Sequence, residues 1–223
     1  MKAILFDFDG TLVDTQHLYN KALSQVLLRF NPVYTVEYCT KFFDGKCWND
    51  AFDTLSIQEN FNKESVFNEG LAVAHELISK HATPTKGTVL ALRILQKYGV
   101  KYAICSNSHT HEIHSVLKQT ELSQFFENDS IFGREMVQKG KPESDIYLLA
   151  MEKLAISPQN CIAVEDSING AKSGLNAGIQ TVVFTGGTGF LGIDRFQNEL
   201  SPQFGKISSI ESILDIIAFI GVK

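Results

Sequence analysis

Positive charge is not in excess in this chain. Twenty Lys and Arg stand against 25 Asp and Glu, a formal net charge of −5. That argues against a nucleic-acid groove, which needs a basic face. Phosphate is not excluded, because local charge decides its binding. Long apolar runs are missing too. Ile210 to Val222 is apolar but short and carries Glu211 and Asp215, well below the roughly 20 residues of a membrane span. It reads as a packed helix. The first apolar run breaks at Asp7, too early for a signal peptide. Cysteine is sparse: Cys39, Cys47, Cys105 and Cys161 show no Cys-x-x-Cys spacing. Cys105 and Cys161 lie in apolar runs, so buried free thiols in a reducing cytoplasm are expected, with no disulfide framework or zinc site. Gly186-Gly187-Thr188-Gly189 has neither the dinucleotide fingerprint nor the P-loop lysine, and reads as a loop near the site.

What is present is an ordinary globular composition, 223 residues with 44% hydrophobic, enough for one large domain or a domain plus an insert. Asp14 and Thr15 are each suited to cap a helix whose apolar positions are Leu18, Tyr19, Ala22, Leu23, Val26 and Leu27, closing at Asn31-Pro32. A second helical segment follows Thr35 and stops at Asp44-Gly45. A third holds Trp48, Phe52 and Leu55. A longer one carries Val66, Gly70, Val73, Leu77 and Ile78 and ends near His81. No strand is legible from Thr15 to about Ala82. From Thr88 the rhythm changes. Short apolar runs at Tyr102–Cys105, Ser130–Phe132, Cys161–Val164 and Thr181–Phe184 alternate with helical patterns over His111–Gln119, Ser144–Leu154 and Ser167–Asn176. Alternation of this kind predicts βαβ units and a parallel sheet buried on both faces. Ala3 to Phe6 joins that sheet, so the helical stretch is an insertion after the first strand.

The chemistry gathers where these strands end. Asp7 and Asp9 follow the first strand, and side chains two apart on an extended backbone point the same way. Gly10 then lets the chain turn. Carboxylates that close repel, so one must be protonated or a cation must join them. Ser106-Asn107 follows the second core strand and Glu165-Asp166 the Val164 strand, at the edge where open α/β sheets bind ligands. Lys141, in Lys139-Gly140-Lys141-Pro142, sits in a loop that reaches the same edge. Each piece alone has a bland reading: a helix cap for Ser106-Asn107, a solvated loop lysine, a helix-dipole pair for Glu165-Asp166.

Together, Asp7-Phe8-Asp9-Gly10-Thr11, Ser106-Asn107, Gly140-Lys141-Pro142 and Val164-Glu165-Asp166-Ser167 resemble the haloacid dehalogenase superfamily, in its phosphatase and β-phosphoglucomutase-like group. The resemblance covers nearly the whole chain. It implies a Rossmann-like α/β core over residues 1–14 and 84–223 and a helical cap over 15–83. It also implies Mg²⁺-dependent hydrolysis of a small phosphorylated metabolite through an aspartyl-phosphate. Asp7 is then the nucleophile. Asp9 protonates the leaving oxygen and later activates water. Ser106 and Lys141 hold the phosphoryl charge, and Asn107 contacts substrate. Mg²⁺ falls to Asp7, Asp166 and the backbone carbonyl of Asp9, with Glu165 a ligand or a partner of one. Lys46, in a cap loop, is a candidate substrate contact. Asp9 disfavours the dehalogenase and phosphonoacetaldehyde branches, and Pro142-Glu143-Ser144 departs from the usual second proline. A sugar-phosphate mutase is the near alternative. However, Tyr19 stands where those enzymes place a catalytic histidine, and His17 lies roughly 200° around the helix. A phospho-signalling receiver or a silent binding protein are the non-enzymatic alternatives. His109, His111 and His114 cluster beside Ser106, and their spacing is a poor match to a metal site.

Overall fold

Four apolar residues, Ala3–Phe6, form strand β1, fully buried. A computed structural model describes residues 3–43, 52, 55, 62–187, 193–200, 208–210 and 212–221. After β1 come β2 (Val13–Asp14), α1 (Gln16–Leu27), α2 (Val36–Phe43), α3 (Lys63–His81) and β3 (Thr83–Pro84). Then follow α4 (Thr88–Lys97), β4 (Tyr102–Cys105), α5 (Thr110–Gln119), β5 (Ile131–Phe132) and α6 (Asp145–Leu154). The chain continues through β6 (Cys161–Glu165), α7 (Ile168–Asn176), β7 (Gln180–Phe184), α8 (Ile193–Glu199), β8 (Ser208–Ile210) and α9 (Asp215–Phe219).

Among the described residues the sheet has six strands in the order β5-β4-β1-β6-β7-β8, every pairing parallel. β1 lies between β4 and β6, with Phe6 level with Ile104 on one side and Val164 on the other. The period of two along each strand then sorts the core into two layers. Ile4, Phe6, Ile104 and Val164 pack with Leu92 and Leu95 of α4 and Ile113 and Leu117 of α5. Leu5, Ala103, Cys105 and Ala163 pack with Ile146, Tyr147 and Ala150 of α6. Each such side chain taken fully from water contributes roughly 1.5–3 kcal/mol, so both faces of β1 are tightly specified. Its carboxyl end is therefore a rigid point on which to mount Asp7.

The chain leaves this sheet and returns through a two-residue antiparallel ladder, Val13 opposite Pro84 and Asp14 opposite Thr83. Buried threonines tie it down. Thr85 Oγ1 donates to the Thr11 carbonyl at 2.5 Å, and Thr88 Oγ1 to that of Leu12 at 3.2 Å. Beyond the ladder, α1, α2 and α3 bury their own cluster around Leu23, Leu27, Cys39, Phe52 and Val66. Leu18, Ala74 and Ile78 join the layer beneath.

Several expectations change. The C-terminal apolar run is not one helix: Ile210 closes β8, whose pairing to Val182–Phe184 needs an extended chain, and the helix is confined to Asp215–Phe219. Ser130 belongs to a 3-10 turn, leaving β5 with two residues. α1 stops at Leu27, four residues before Asn31. Thr15 is its N-cap residue by position but makes no side-chain cap bond; its hydroxyl is taken by Asp9. Lys46, Trp48 and Gly189 lie outside the described residues.

Candidate active site

Asp7 and Asp9 do reach one place, though by different routes. Asp7 follows β1 directly, and its backbone N–H donates to the Val164 carbonyl at 2.9 Å. Phe8 turns into the core at 1% exposure. Asp9 bridges to Val13, and Gly10 reverses the chain at φ +80. The left-handed region suits glycine, and space demands it as well. A Cβ on Gly10 would stand 1.9 Å from Asp166 Oδ2. Gly10 thus lets the ends of β1 and β6 close on each other.

Asp7, Asp9, Ser106, Asn107, Lys141 and Asp166 line one cleft of about 370 Å³. Lys141 Nζ lies 2.5 Å from Asp7 Oδ1 and 2.6 Å from Glu165 Oε1, with its side chain 4% exposed. Burial alone would discharge this lysine, but the two carboxylates outweigh it and hold it protonated. Asn107 is committed to the same loop. Its Oδ1 accepts from the Lys141 backbone N–H at 2.8 Å and its Nδ2 donates to the Lys141 carbonyl at 3.1 Å. Both ends of the amide therefore brace the lysine. Gly140 makes room, since a Cβ there would meet Asn107 Oδ1 at 2.5 Å. The Ser106 hydroxyl oxygen accepts from Ser108 N–H at 3.0 Å, which leaves its proton to point elsewhere.

Two participants carry no signal that marks them in sequence. Ser108 Oγ donates to Asp9 Oδ2 at 2.6 Å while Thr15 Oγ1 donates to Oδ1 at 2.9 Å, so Asp9 is gripped at both oxygens. Tyr147, which sequence assigns only to an apolar helix, donates its buried hydroxyl to Glu165 Oε1. Burial pushes Asp9 up to about 6, opposed by the Ser108 hydrogen bond and reinforced by Asp7. That is close to neutrality, where an acid–base group works best. Glu165 is raised by burial to about 8 despite Lys141. Burial, then Asp7 and Glu165, drive Asp166 well above the usual carboxylate range.

That acid excess is a physical test of the implied cation. Asp7, Glu165 and Asp166 each offer an oxygen within 4.8 Å of the others, against the single ammonium of Lys141. Glu165 Oε2 is buried with no hydrogen-bond partner. A hard divalent cation suits such an all-oxygen set. The Asp9 carboxylate is not in this group, being occupied by Thr15 and Ser108. None of the three histidines joins a metal-ligating cluster among the described residues. His109 starts α5 and pairs with Glu135 at 3.3 Å.

The family model of the haloacid dehalogenase-like hydrolases matches residues 4–184. The chain belongs to that family. Among proteins similar to this haloacid dehalogenase-like hydrolase is the phosphorylated carbohydrates phosphatase of Thermotoga maritima, 29% identical over 82% of this chain and 84% of the relative. Another is pyrophosphatase PpaX of Oceanobacillus iheyensis, 27% identical over 99% and 97%. Relatives of this kind are phosphatases, and the chain is a hydrolase of the phosphatase group. In fold it is similar to a haloacid dehalogenase-like protein of unknown function from Agrobacterium tumefaciens, with a TM-score of 0.84, 24% identity and 99% and 97% of the two chains covered.

Proposed function

We propose that this hydrolase is a Mg²⁺-dependent phosphatase of a small phosphorylated metabolite, working through an aspartyl-phosphate on Asp7. The observation that carries the reading is the pairing of Asp7 with the buried Lys141 beside two further carboxylates. The lysine partly neutralises the charge that would otherwise repel a phosphate dianion. Asp7 Oδ attacks phosphorus and the P–O bond to the leaving group breaks. Asp9 gives that oxygen its proton. Water then attacks the acyl phosphate, Asp9 takes the water's proton, and inorganic phosphate leaves with Asp7 restored. Ser106 donates to a phosphoryl oxygen, and Asn107 keeps Lys141 in place. Asp7, Asp166, Glu165 and the Asp9 main-chain carbonyl would hold Mg²⁺, which when bound neutralises phosphoryl charge.

The same reading divides the chain into a catalytic core, 1–14 and 84–223, and a cap, 15–83, with the ladder at Val13–Asp14 and Thr83–Pro84 as the hinge. Its setting is a reducing cytoplasm, consistent with Cys39, Cys105 and Cys161 being buried and free. Net hydrolysis is favoured over phosphoryl retention because the described cap residues lining the cleft, Gln16, Tyr19 and Leu71, offer no imidazole, and Tyr19 is a phenol that burial and Asp9 keep protonated. The test is turnover of p-nitrophenyl phosphate with Mg²⁺, with EDTA, and in Asp7→Asn. Hydrolysis that needs Mg²⁺ and falls on the order of 10⁶-fold in the variant is expected. Unchanged turnover in Asp7→Asn overturns the reading.

A further inference from the structure

A second cleft of about 240 Å³ adjoins the first, sharing Asp9, Tyr19 and Ser108 as a common wall. Its sides are α3, through His75, Ile78 and Ser79, and α5, through Glu112, Ser115 and Val116. Hydroxyl and imidazole groups face it from both helices above an apolar floor that includes Phe8 and Ile113. Its fixed charge is one-sided, with the imidazoles of His75 and His111 beside it. Asp9 and Glu112 are its carboxylates, and no Lys or Arg is among the described lining residues. Glu112 is fixed there: Oε2 accepts from the His109 backbone N–H at 2.9 Å, and Oε1 lies 2.9 Å from His75 Nε2 across the cap–core seam.

We propose that this cleft receives the leaving-group end of the substrate and selects a neutral, hydroxyl-bearing carbon chain, a sugar or sugar alcohol. This rests on the phosphatase reading above, because Asp9 must reach the leaving oxygen and Asp9 forms the wall between the two clefts. A polyol presents alternating donors and acceptors to Ser79, Ser115, His75 and Glu112, and its carbon backbone lies on Ile78 and Val116. A second phosphate at the same place would meet the Glu112 carboxylate with no lysine or arginine among the described lining residues to pair with, and like charges juxtaposed at an interface are strongly disfavoured. The discriminating residue is thus Glu112. It acts by repulsion as well as by hydrogen bonding.

The experiment compares kcat/KM for a hexitol monophosphate, a hexose bisphosphate and acetyl phosphate in the wild type, Glu112→Gln and Ser115→Phe. Glutamine keeps an acceptor for the start of α5 and removes the charge. Ser115 is exposed, so the phenyl ring narrows the cleft without entering the core. The wild type should favour the monophosphate over the bisphosphate, and Glu112→Gln should narrow that ratio about tenfold. Ser115→Phe should cut hexitol phosphate turnover about tenfold more than acetyl phosphate turnover. An unchanged ratio in Glu112→Gln, or an equal loss on both substrates in Ser115→Phe, overturns the proposal. A second arm does not depend on catalysis. Titration of the unphosphorylated hexitol should shift the backbone amide NMR signals of Ser79, Glu112 and Ser115, and Ser115→Phe should abolish those shifts. No shift at these amides overturns the cleft assignment whatever the turnover. Absence of any wild-type hydrolysis of acetyl phosphate with Mg²⁺ would instead overturn the phosphatase reading alone.

Discussion

Replacing Lys141 by methionine removes the one ammonium from a buried carboxylate group while keeping most of its volume. At about 2.5 Å and an effective dielectric of about 20, the contact with Asp7 is worth roughly 6 kcal/mol before desolvation, and that with Glu165 about as much once its carboxyl is ionised. Breaking a buried pair from one side leaves a net loss of about 3–5 kcal/mol, a large share of the roughly 5–15 kcal/mol that holds a domain together. The sign with pH is fixed by Glu165, whose folded value of about 8 lies above its ordinary 4.5. A raised carboxyl binds a proton that the unfolded chain has already released. Its stabilising contribution is complete below the ordinary value and is lost as pH rises through about 8. Without Lys141 the carboxyl rises further, so the deficit of Lys141→Met should stay level from about pH 5 to about pH 7 and grow as pH passes about 8, where only the wild type releases this proton. Urea unfolding followed by circular dichroism in metal-free buffer measures it. Added Mg²⁺ should recover part of the loss. A deficit below about 1 kcal/mol at pH 8, or one that shrinks as pH rises, would refute the reasoning.

Asp9→Asn should slow both release of the leaving group and hydrolysis of the intermediate. With an activated aryl phosphate, the mass of one phosphoryl group should then build up on the protein after rapid quenching. A variant that turns over with no such mass would remove Asp9 from the second step. Gly10→Ala should cost about 2 kcal/mol from positive φ alone. The Asp166 clash should also weaken Mg²⁺ binding measured by calorimetry, and retention of wild-type affinity would contradict the close approach. Burial raises the Cys39 thiol to about 12 and Cys161 to about 11, and pushes Cys105 higher still. In a Cys47→Ser background at pH 8 the thiolate fraction is at most about 10⁻³, so DTNB should label the native protein only as fast as it unfolds.

Much of this is legible in the sequence because buried parallel strands announce themselves. Ala3–Phe6 and Tyr102–Cys105 match the expected runs, and β6 and β7 each extend theirs by one residue. Asp7, Ser106, Lys141 and Asp166 follow from their places at strand ends and in the adjoining loop. The rest depended on contacts between distant segments. β8 opens with two serines and then merges into an apolar stretch, so nothing local separates it from a helix. The two-residue β2 and β3 are too short to show a period. Thr15 looks like a helix cap because position favours that use, yet Asp9, six residues back, takes its hydroxyl. Ser108 sits 99 residues from the carboxylate it holds, and Tyr147 reads as ordinary core until its hydroxyl is seen on Glu165. Lys46 remains a sequence-level expectation.

The narrow ladder at Val13–Asp14 and Thr83–Pro84 makes the middle of the chain exchangeable. Its two ends lie side by side, so whatever is inserted there is joined to the sheet by one pair of adjacent crossings and need not thread any strand. Lengthening, trimming or grafting between those crossings leaves the six-strand order and its hydrogen bonds as they are. The Asp7, Lys141 and Asp166 constellation is built wholly from outside that interval, whereas Tyr19, His75 and Ser79 are built from inside it. A graft between those crossings would exchange Tyr19, His75 and Ser79 while Asp7, Glu112, Lys141 and Asp166 stay where they are, and it must carry a hydroxyl at position 15 to keep the Thr15 hold on Asp9.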